Sequence, residues 1–207
     1  GSAASEYRPT RTMLDAICSA KVVHISGISQ AISVYMTDML FEILADAHSR
    51  GALISYDLNY RPNLWGAQRA GAVAERTIRR FADIVSTNSE EFVTLGLAAS
   101  ADELFDKYGP FVELIAVRRG ESGATLFTKR EIAHAAAFKV NVADTVGAGD
   151  AFDGGLIGAH LNGCEGTECV DYANAVAALT CRETGSTMAQ PTPTEVADLL
   201  SSGTRLD

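Results

Sequence analysis

Short, unbroken apolar runs recur along the chain, and the stretches between most of them are long enough to form helices. The runs are Val22-Val23-His24-Ile25-Ser26, Leu53-Ile54-Ser55-Tyr56-Asp57, Ile84-Val85-Ser86, Leu114-Ile115-Ala116-Val117 and Ala124-Thr125-Leu126-Phe127. None shows a strict period of two. A strand that is apolar on successive residues is buried on both faces, which is the habit of parallel strands covered by helices. Val34 to Ser49 reads as a long amphipathic helix with Gly51 placed to end it. Ala67 to Phe81 reads as another, its basic residues near the end that suits the helix dipole. Pro9 opens a helix carrying Met13, Leu14 and Ile17. Asn88 or Ser89 caps one helix, and Ser100 caps another that Gly109-Pro110 stops. Gly120 and Gly123 mark a turn, and helices over Ala148 to Leu161, Glu168 to Glu183 and Thr194 to Ser201 complete the chain. The expectation is a single α/β domain over residues 1–207, with a mainly parallel central sheet between helical layers, α/β/α. Such sheets bind ligands beyond the carboxyl ends of their strands.

The composition fits that plan. Of 207 residues, 47% are hydrophobic and 21% charged, enough to bury one large core. The formal net charge of -9 argues against nucleic acid and anionic membrane surfaces as partners. No apolar run is long enough to span a bilayer, and no signal peptide precedes the fold. Cys18, Cys164, Cys169 and Cys181 match no zinc or redox spacing. Reduced thiols in or near a core, in a cytoplasmic protein, are the expectation. Gly1-Ser2 reads equally as native sequence or a cloning remnant.

The most informative stretch is Asp144-Thr145-Val146-Gly147-Ala148-Gly149-Asp150-Ala151-Phe152. Two glycines flank an alanine, and an acid follows at a helix start. Gly147 and Gly149 let the backbone turn sharply and approach a ligand. The helix aims its free N–H groups and positive dipole end at the bend, which makes an anion site. Preorganised amides there can stabilise charge on a migrating phosphoryl group. Asp150 beside it can accept the proton of an attacking alcohol. A tight turn with a helix-capping acid is the plainer reading of a lone Gly-x-Gly-Asp.

The longer motif resembles the Asp-Thr-x-Gly-Ala-Gly-Asp signature of the PfkB, ribokinase-like carbohydrate kinases, at every fixed position. The resemblance implies a ribokinase-like fold and an ATP-dependent sugar kinase. It assigns Asp150 as catalytic base and the Gly147, Ala148 and Gly149 backbone as anion hole. Asn88-Ser89-Glu90-Glu91 resembles the family's Asn-x-x-Glu, implying that Asn88 and Glu91 organise Mg²⁺ indirectly, with Asn88 also near the nucleotide. Otherwise this is a helix cap with acids in its first turn. Val117-Arg118-Arg119-Gly120-Glu121-Ser122-Gly123-Ala124 resembles the turn leading into the nucleotide site, implying roles for Gly120, Gly123 and Arg118. A solvated strand-end arginine is the plainer reading of Arg118. Asn174, in a helix rich in small residues, resembles a position bordering the adenine pocket, with close helix packing as its alternative.

Asp57-Leu58-Asn59-Tyr60-Arg61-Pro62-Asn63-Leu64-Trp65 resembles the Asp-x-Asn-x-Arg-x-x-Leu-Trp motif of the 2-keto-3-deoxygluconate kinase and fructokinase branch, and leans to the former. It implies Asp57, Asn59 and Arg61, with Asp150, as sugar-binding residues. Arg61 is the candidate for a sugar acid's carboxylate, which an arginine fork binds bidentately. A structural turn over a packed Trp65 is the alternative.

The resemblance runs from Gly1 to about Val196, and because Gly1-Ser2-Ala3-Ala4-Ser5 resembles a stretch in those kinases, it argues against a cloning remnant at Gly1-Ser2. Family members begin with a further segment, on the order of a hundred residues, carrying the first strands, a Gly-Gly sugar motif and a small β lid. Those N-terminal strands and lid are absent here. The sugar pocket is therefore expected to be incomplete, the activity weak or absent, and the bared sheet edge inclined to homo-oligomers. The expected ligands are ATP, Mg²⁺ and a small sugar or sugar acid, with 2-keto-3-deoxygluconate as the first choice. The alternatives are a fructokinase, another PfkB-type kinase, or a catalytically impaired nucleotide-binding remnant. A Rossmann dehydrogenase is disfavoured because no Gly-x-Gly-x-x-Gly opens a strand–helix unit near the start.

Overall fold

The computed structural model describes residues 3–206, in two compact units, Gly1–Ala116 and Val117–Asp207. Gly1 and Ser2, ambiguous in the sequence, lie outside the described residues. Among the described residues no helix is long and apolar enough to cross a membrane.

The first unit alternates strand and helix: α1 (Arg11–Cys18), β1 (Val22–Ser26), α2 (Gly27–Ala31), α3 (Val34–Ser49), β2 (Leu53–Asp57), α4 (Ala67–Arg80), β3 (Ile84–Asn88), α5 (Glu91–Thr94) and α6 (Ala101–Tyr108). β4 (Leu114–Arg118) begins at its end. β1 pairs parallel with β2, Val22 opposite Leu53 and Ser26 opposite Asp57, and β2 pairs parallel with β3, Ser55 opposite Ile84. The two-sided burial expected of the apolar runs is present: Ile54, Tyr56, Ile84 and Val85 are buried in succession or alternation alike. Local signals set the helix ends. Ser33 Oγ accepts the Met36 amide at the head of α3, and Gly51, at φ +84°, follows its last turn. Ser100 caps α6 through the Glu103 amide as expected. Pro9 does not open α1: Thr10 is the N-cap, its hydroxyl accepting the Met13 amide, which moves the start past the proline. The short α2 carries no periodic signal of its own and was not anticipated.

The second unit opens with a 3-10 turn (Gly120–Ser122), then β5 (Ala124–Thr128) and β6 (Ile132–Ala135), paired antiparallel with Ala124 opposite Ala135. β6 was invisible as an apolar run because its burial alternates and Ile132 is exposed. α7 (Ala148–Leu161), α8 (Gly166–Thr180) and α9 (Pro193–Ser202) follow. α8 starts before and stops short of the expected Glu168–Glu183. Its end is fixed where the Cys181 carbonyl takes the Ala143 amide at 2.8 Å and the Asp144 amide at 3.3 Å, so the strand-like lead into the glycine loop satisfies a helix terminus. α7 and α8 pack closely: a Cβ on Gly155 would lie 3.0 Å from Ala173 Cα and 3.1 Å from Val176 Cβ. Phe138, Ala175, Leu179 and Val196 form a small core between α8 and α9, and the Thr192–Glu195 capping box starts α9.

Candidate active site

In the second unit the bend at the head of α7 is made by Gly147, the N-cap residue, at φ +83°. Only glycine sits there without strain, and a Cβ would also lie 2.6 Å from Ser186 Cβ. The Ala148 amide donates to the Thr145 carbonyl at 3.2 Å, so it is spent on the bend itself. Among the described residues the Gly149 and Asp150 amides have no backbone carbonyl, and they are the donors left facing outward from the helix start. Of the expected Gly147, Ala148 and Gly149 backbone, the Gly149 amide is thus uncommitted, and the Asp150 amide beside it is uncommitted as well. The Asp150 carboxylate is exposed and has no hydrogen-bond or ion-pair partner among the described residues. Asp144 Oδ1 accepts the Val146 amide at 3.0 Å and stiffens the approach to the bend.

Arg118 is not a solvated strand-end arginine. Its side chain is 15% exposed and pairs with Asp153, itself 2% exposed, through Nη1 to Oδ1 at 2.9 Å. The same Nη1 lies 3.5 Å from the Gly149 carbonyl, and a Cβ on Gly149 would rest 3.7 Å from the guanidinium carbon. The end of β4 is thus clamped onto the first turn of α7. Asp153 was missed in the sequence. An acid inside the small and apolar run Ala151-Phe152-Asp153-Gly154-Gly155 needs a cation when that helix face is buried, and that is the signal that could have found it.

Gly123 and Asn174 meet at one atom. A Cβ on Gly123, at φ +79°, would fall 2.0 Å from the Ala135 carbonyl oxygen, and buried Asn174 donates to that same oxygen through Nδ2 at 2.9 Å. The Asn174 side chain holds the end of β6 in place, and the missing side chain at Gly123 leaves room for that carbonyl. Gly120, at φ +57°, borders open space.

In the first unit the loop after β2 is polar and buried at its root: Asp57 is 1% exposed and Asn59 is 8% exposed, with Asn59 in left-handed backbone at φ +35°. Burial first, then the negative charges of Asp57 and Glu91, push the Tyr56 hydroxyl pKa up. Glu91 Oε1 accepts the Tyr60 amide at 3.2 Å, while Oε2 accepts the Asn88 amide at 3.1 Å and the Thr87 hydroxyl at 3.3 Å. Asn88 Oδ1 caps the Glu90 and Glu91 amides, both at 2.9 Å. Trp65 is buried under the loop, as in the packed-turn reading, and its carbonyl accepts the Tyr60 hydroxyl at 3.3 Å. Arg61 is exposed; its Nη1 lies 3.5 Å from the Tyr60 carbonyl, and it has no carboxylate partner among the described residues. No group of three or more His, Cys, Asp or Glu side chains among the described residues is arranged to hold a metal ion.

A family model described as pfkB family carbohydrate kinase matches residues 1–193. The chain belongs to the pfkB family of carbohydrate kinases. This pfkB-family chain is 31% identical over 202 residues to a protein named Probable fructokinase-3 from Arabidopsis thaliana, covering 93% of the chain and 58% of that protein. It is 30% identical over 202 residues to the 2-dehydro-3-deoxygluconokinase of Bacillus subtilis, covering 97% of the chain and 62% of the relative. The crystal structure of 2-dehydro-3-deoxygluconokinase from Thermotoga maritima superposes with a TM-score of 0.86 at 25% identity, covering 97% of this chain and 66% of that one. The fold is accordingly the ribokinase-like α/β fold, mainly parallel and flanked by helices. The chain spans 58% and 62% of the length of the two curated relatives.

Proposed function

We propose that this chain is the phosphoryl-transfer part of an ATP-dependent sugar kinase, acting in the cytoplasm on a hydroxyl of 2-keto-3-deoxygluconate or a close sugar acid. One observation carries the reading: an unpaired, exposed Asp150 carboxylate stands in the first turn of α7, where the Gly149 and Asp150 amides lack carbonyl partners. An acid with no donors on it can take a proton, and bare amides at a helix start can hold an anion.

The steps follow from this chain's own groups. Asp150 accepts the proton of the sugar hydroxyl as its oxygen attacks phosphorus. The Gly149 and Asp150 amides donate to the phosphoryl oxygens, on which negative charge spreads. The Arg118–Asp153 pair holds those amides in line by fixing the turn that carries them. When bound, ATP with Mg²⁺ supplies the transferable group and neutralises phosphate charge. An anion fits the open amides. Mg²⁺ has no protein cluster to hold it directly among the described residues, so Asn88 would act on it through water and phosphate, while Glu91 holds the turn that carries Asn88. Arg61 favours a sugar acid over fructose, because its guanidinium is exposed and lacks a carboxylate of its own.

The test is a coupled assay with ATP, Mg²⁺ and a panel of 2-keto-3-deoxygluconate, fructose and ribose. Turnover of the sugar acid above the neutral sugars is expected. Turnover of fructose with equal or greater kcat/KM would overturn the substrate, and ATP binding without turnover of any sugar would overturn the activity.

A further inference from the structure

We infer that Glu91 is a positioning residue for the sugar: a buried clamp that seats the Asp57–Trp65 loop, and with it Arg61, on the Thr87–Glu90 turn. The inference rests on the sugar-kinase reading for its consequence but not for its geometry. Glu91 is 7% exposed, and its two oxygens face different segments. Oε2 is taken by the Thr87 hydroxyl and the Asn88 amide of its own turn; Oε1 is taken by the Tyr60 amide, 31 residues away in sequence.

The peptide it grips needs gripping. Asn59, one residue earlier, sits at φ +35°, a conformation that an L side chain keeps only when its surroundings over-determine it. The loop is then closed on itself: the Leu64 amide donates to the Arg61 carbonyl at 2.9 Å, and the Tyr60 hydroxyl donates to the Trp65 carbonyl at 3.3 Å. Arg61 therefore projects from a short segment whose near end is pinned by Glu91. Three donors converge on this carboxylate, so an acceptor-only group is required. A glutamine in its place turns an N–H₂ toward an N–H on one side or the other. A buried N–H left without its acceptor costs more than the bond it formed, which makes the site sensitive to this exchange.

Trp65 is the one tryptophan of the 207 residues and is 7% exposed, so its fluorescence reads this loop and nothing else. Glu91→Ala is expected to shift Trp65 emission to the red and raise its acrylamide quenching, with far-UV circular dichroism unchanged. Glu91→Gln, which keeps the volume and one acceptor, is expected to fall between Glu91→Ala and wild type, and it serves if the alanine variant fails to fold. In the kinase assay the sugar-acid KM is expected to rise about tenfold, the cost of one charged hydrogen bond, with the ATP KM moving less than about twofold. Unchanged Trp65 emission and quenching in both variants would overturn the clamp. So would a raised ATP KM with the sugar KM untouched, which would make Glu91 a nucleotide or metal residue. If the wild-type chain turns over no sugar, the sugar-kinase reading fails while Trp65 still decides the clamp.

Discussion

The turn after β3 and the first turn of α7 both present an acid that the family motifs single out, and the two acids are in opposite circumstances. Glu91 is buried and accepts three protein donors. Asp150 is exposed and accepts none among the described residues. A carboxylate whose lone pairs are already committed to amides gives them up only by loosening the chain around it, so it holds shape. One with its lone pairs open is free to take a proton from a ligand. The same contrast recurs within one helix, where Asp150 is open and Asp153, one turn on, is 2% exposed and locked to Arg118. Burial and prior partners, more than residue type, divide these acids into those that build the site and those that can act in it.

The sharpest way to break that division is to remove each acid of α7 in turn. Asp150→Asn is expected to lower kcat by about 10²–10⁴, the usual worth of a positioned general base, while leaving ADP binding and the urea midpoint near wild type. Asp153→Ala is expected to do the reverse. It takes the Asp153 carboxylate away from Arg118 in a site with little water, a defect that typically costs about 3–5 kcal/mol of stability, somewhat less here because the Arg118 side chain keeps 15% exposure. Chemical denaturation of the two variants side by side checks this: a stable Asp153→Ala and an unstable Asp150→Asn would invert the assignment. Gly147→Ala comes next. It forces a side chain into left-handed backbone and against Ser186 Cβ at 2.6 Å, so a loss of about 1–3 kcal/mol is expected, together with weaker ADP binding measured by calorimetry. Full affinity in a folded Gly147→Ala would mean that the bend does not present the anion-holding amides.

Much of this was legible in the amino acids because the signals were local. The continuous apolar runs located β1 to β5, and Ser100 writes its helix start in a residue whose side chain reaches only three positions along. The glycine bend and Asp150 were legible for the same reason. What sequence reading missed depends on groups that meet across distance. Arg118 looked solvated because Asp153 lies 35 residues further on. That Asn174 bonds the Ala135 carbonyl, and that Gly123 leaves room for it, could not be read ahead, because the pairing of β5 with β6 places that carbonyl and β6 has no apolar run to announce it. A motif likewise does not say that the Thr145 carbonyl turns back onto the Ala148 amide.

Asp83 lies between the two extremes and sharpens the comparison by the smallest effect. It is half-buried just before β3, and Oδ2 accepts the Ile54 amide at 2.7 Å. Burial raises its pKa above the ordinary carboxylate value, and the Ile54 hydrogen bond and the nearby His48 only partly offset that. The folded chain therefore holds this proton more tightly than the unfolded chain does. Asp83 contributes most to stability below the unfolded carboxylate pKa, and that contribution is lost as pH rises through the raised folded value. An amide in its place is neutral at every pH and keeps an oxygen for the Ile54 amide. Asp83→Asn is thus expected to match wild type near about pH 3 and to exceed it modestly near about pH 7, read as urea midpoints with unchanged slope. A variant weaker than wild type at neutral pH would mean that the charged hydrogen bond to Ile54 outweighs burial, and would move Asp83 to the side of Glu91, among the acids that hold the chain's shape through the donors they accept.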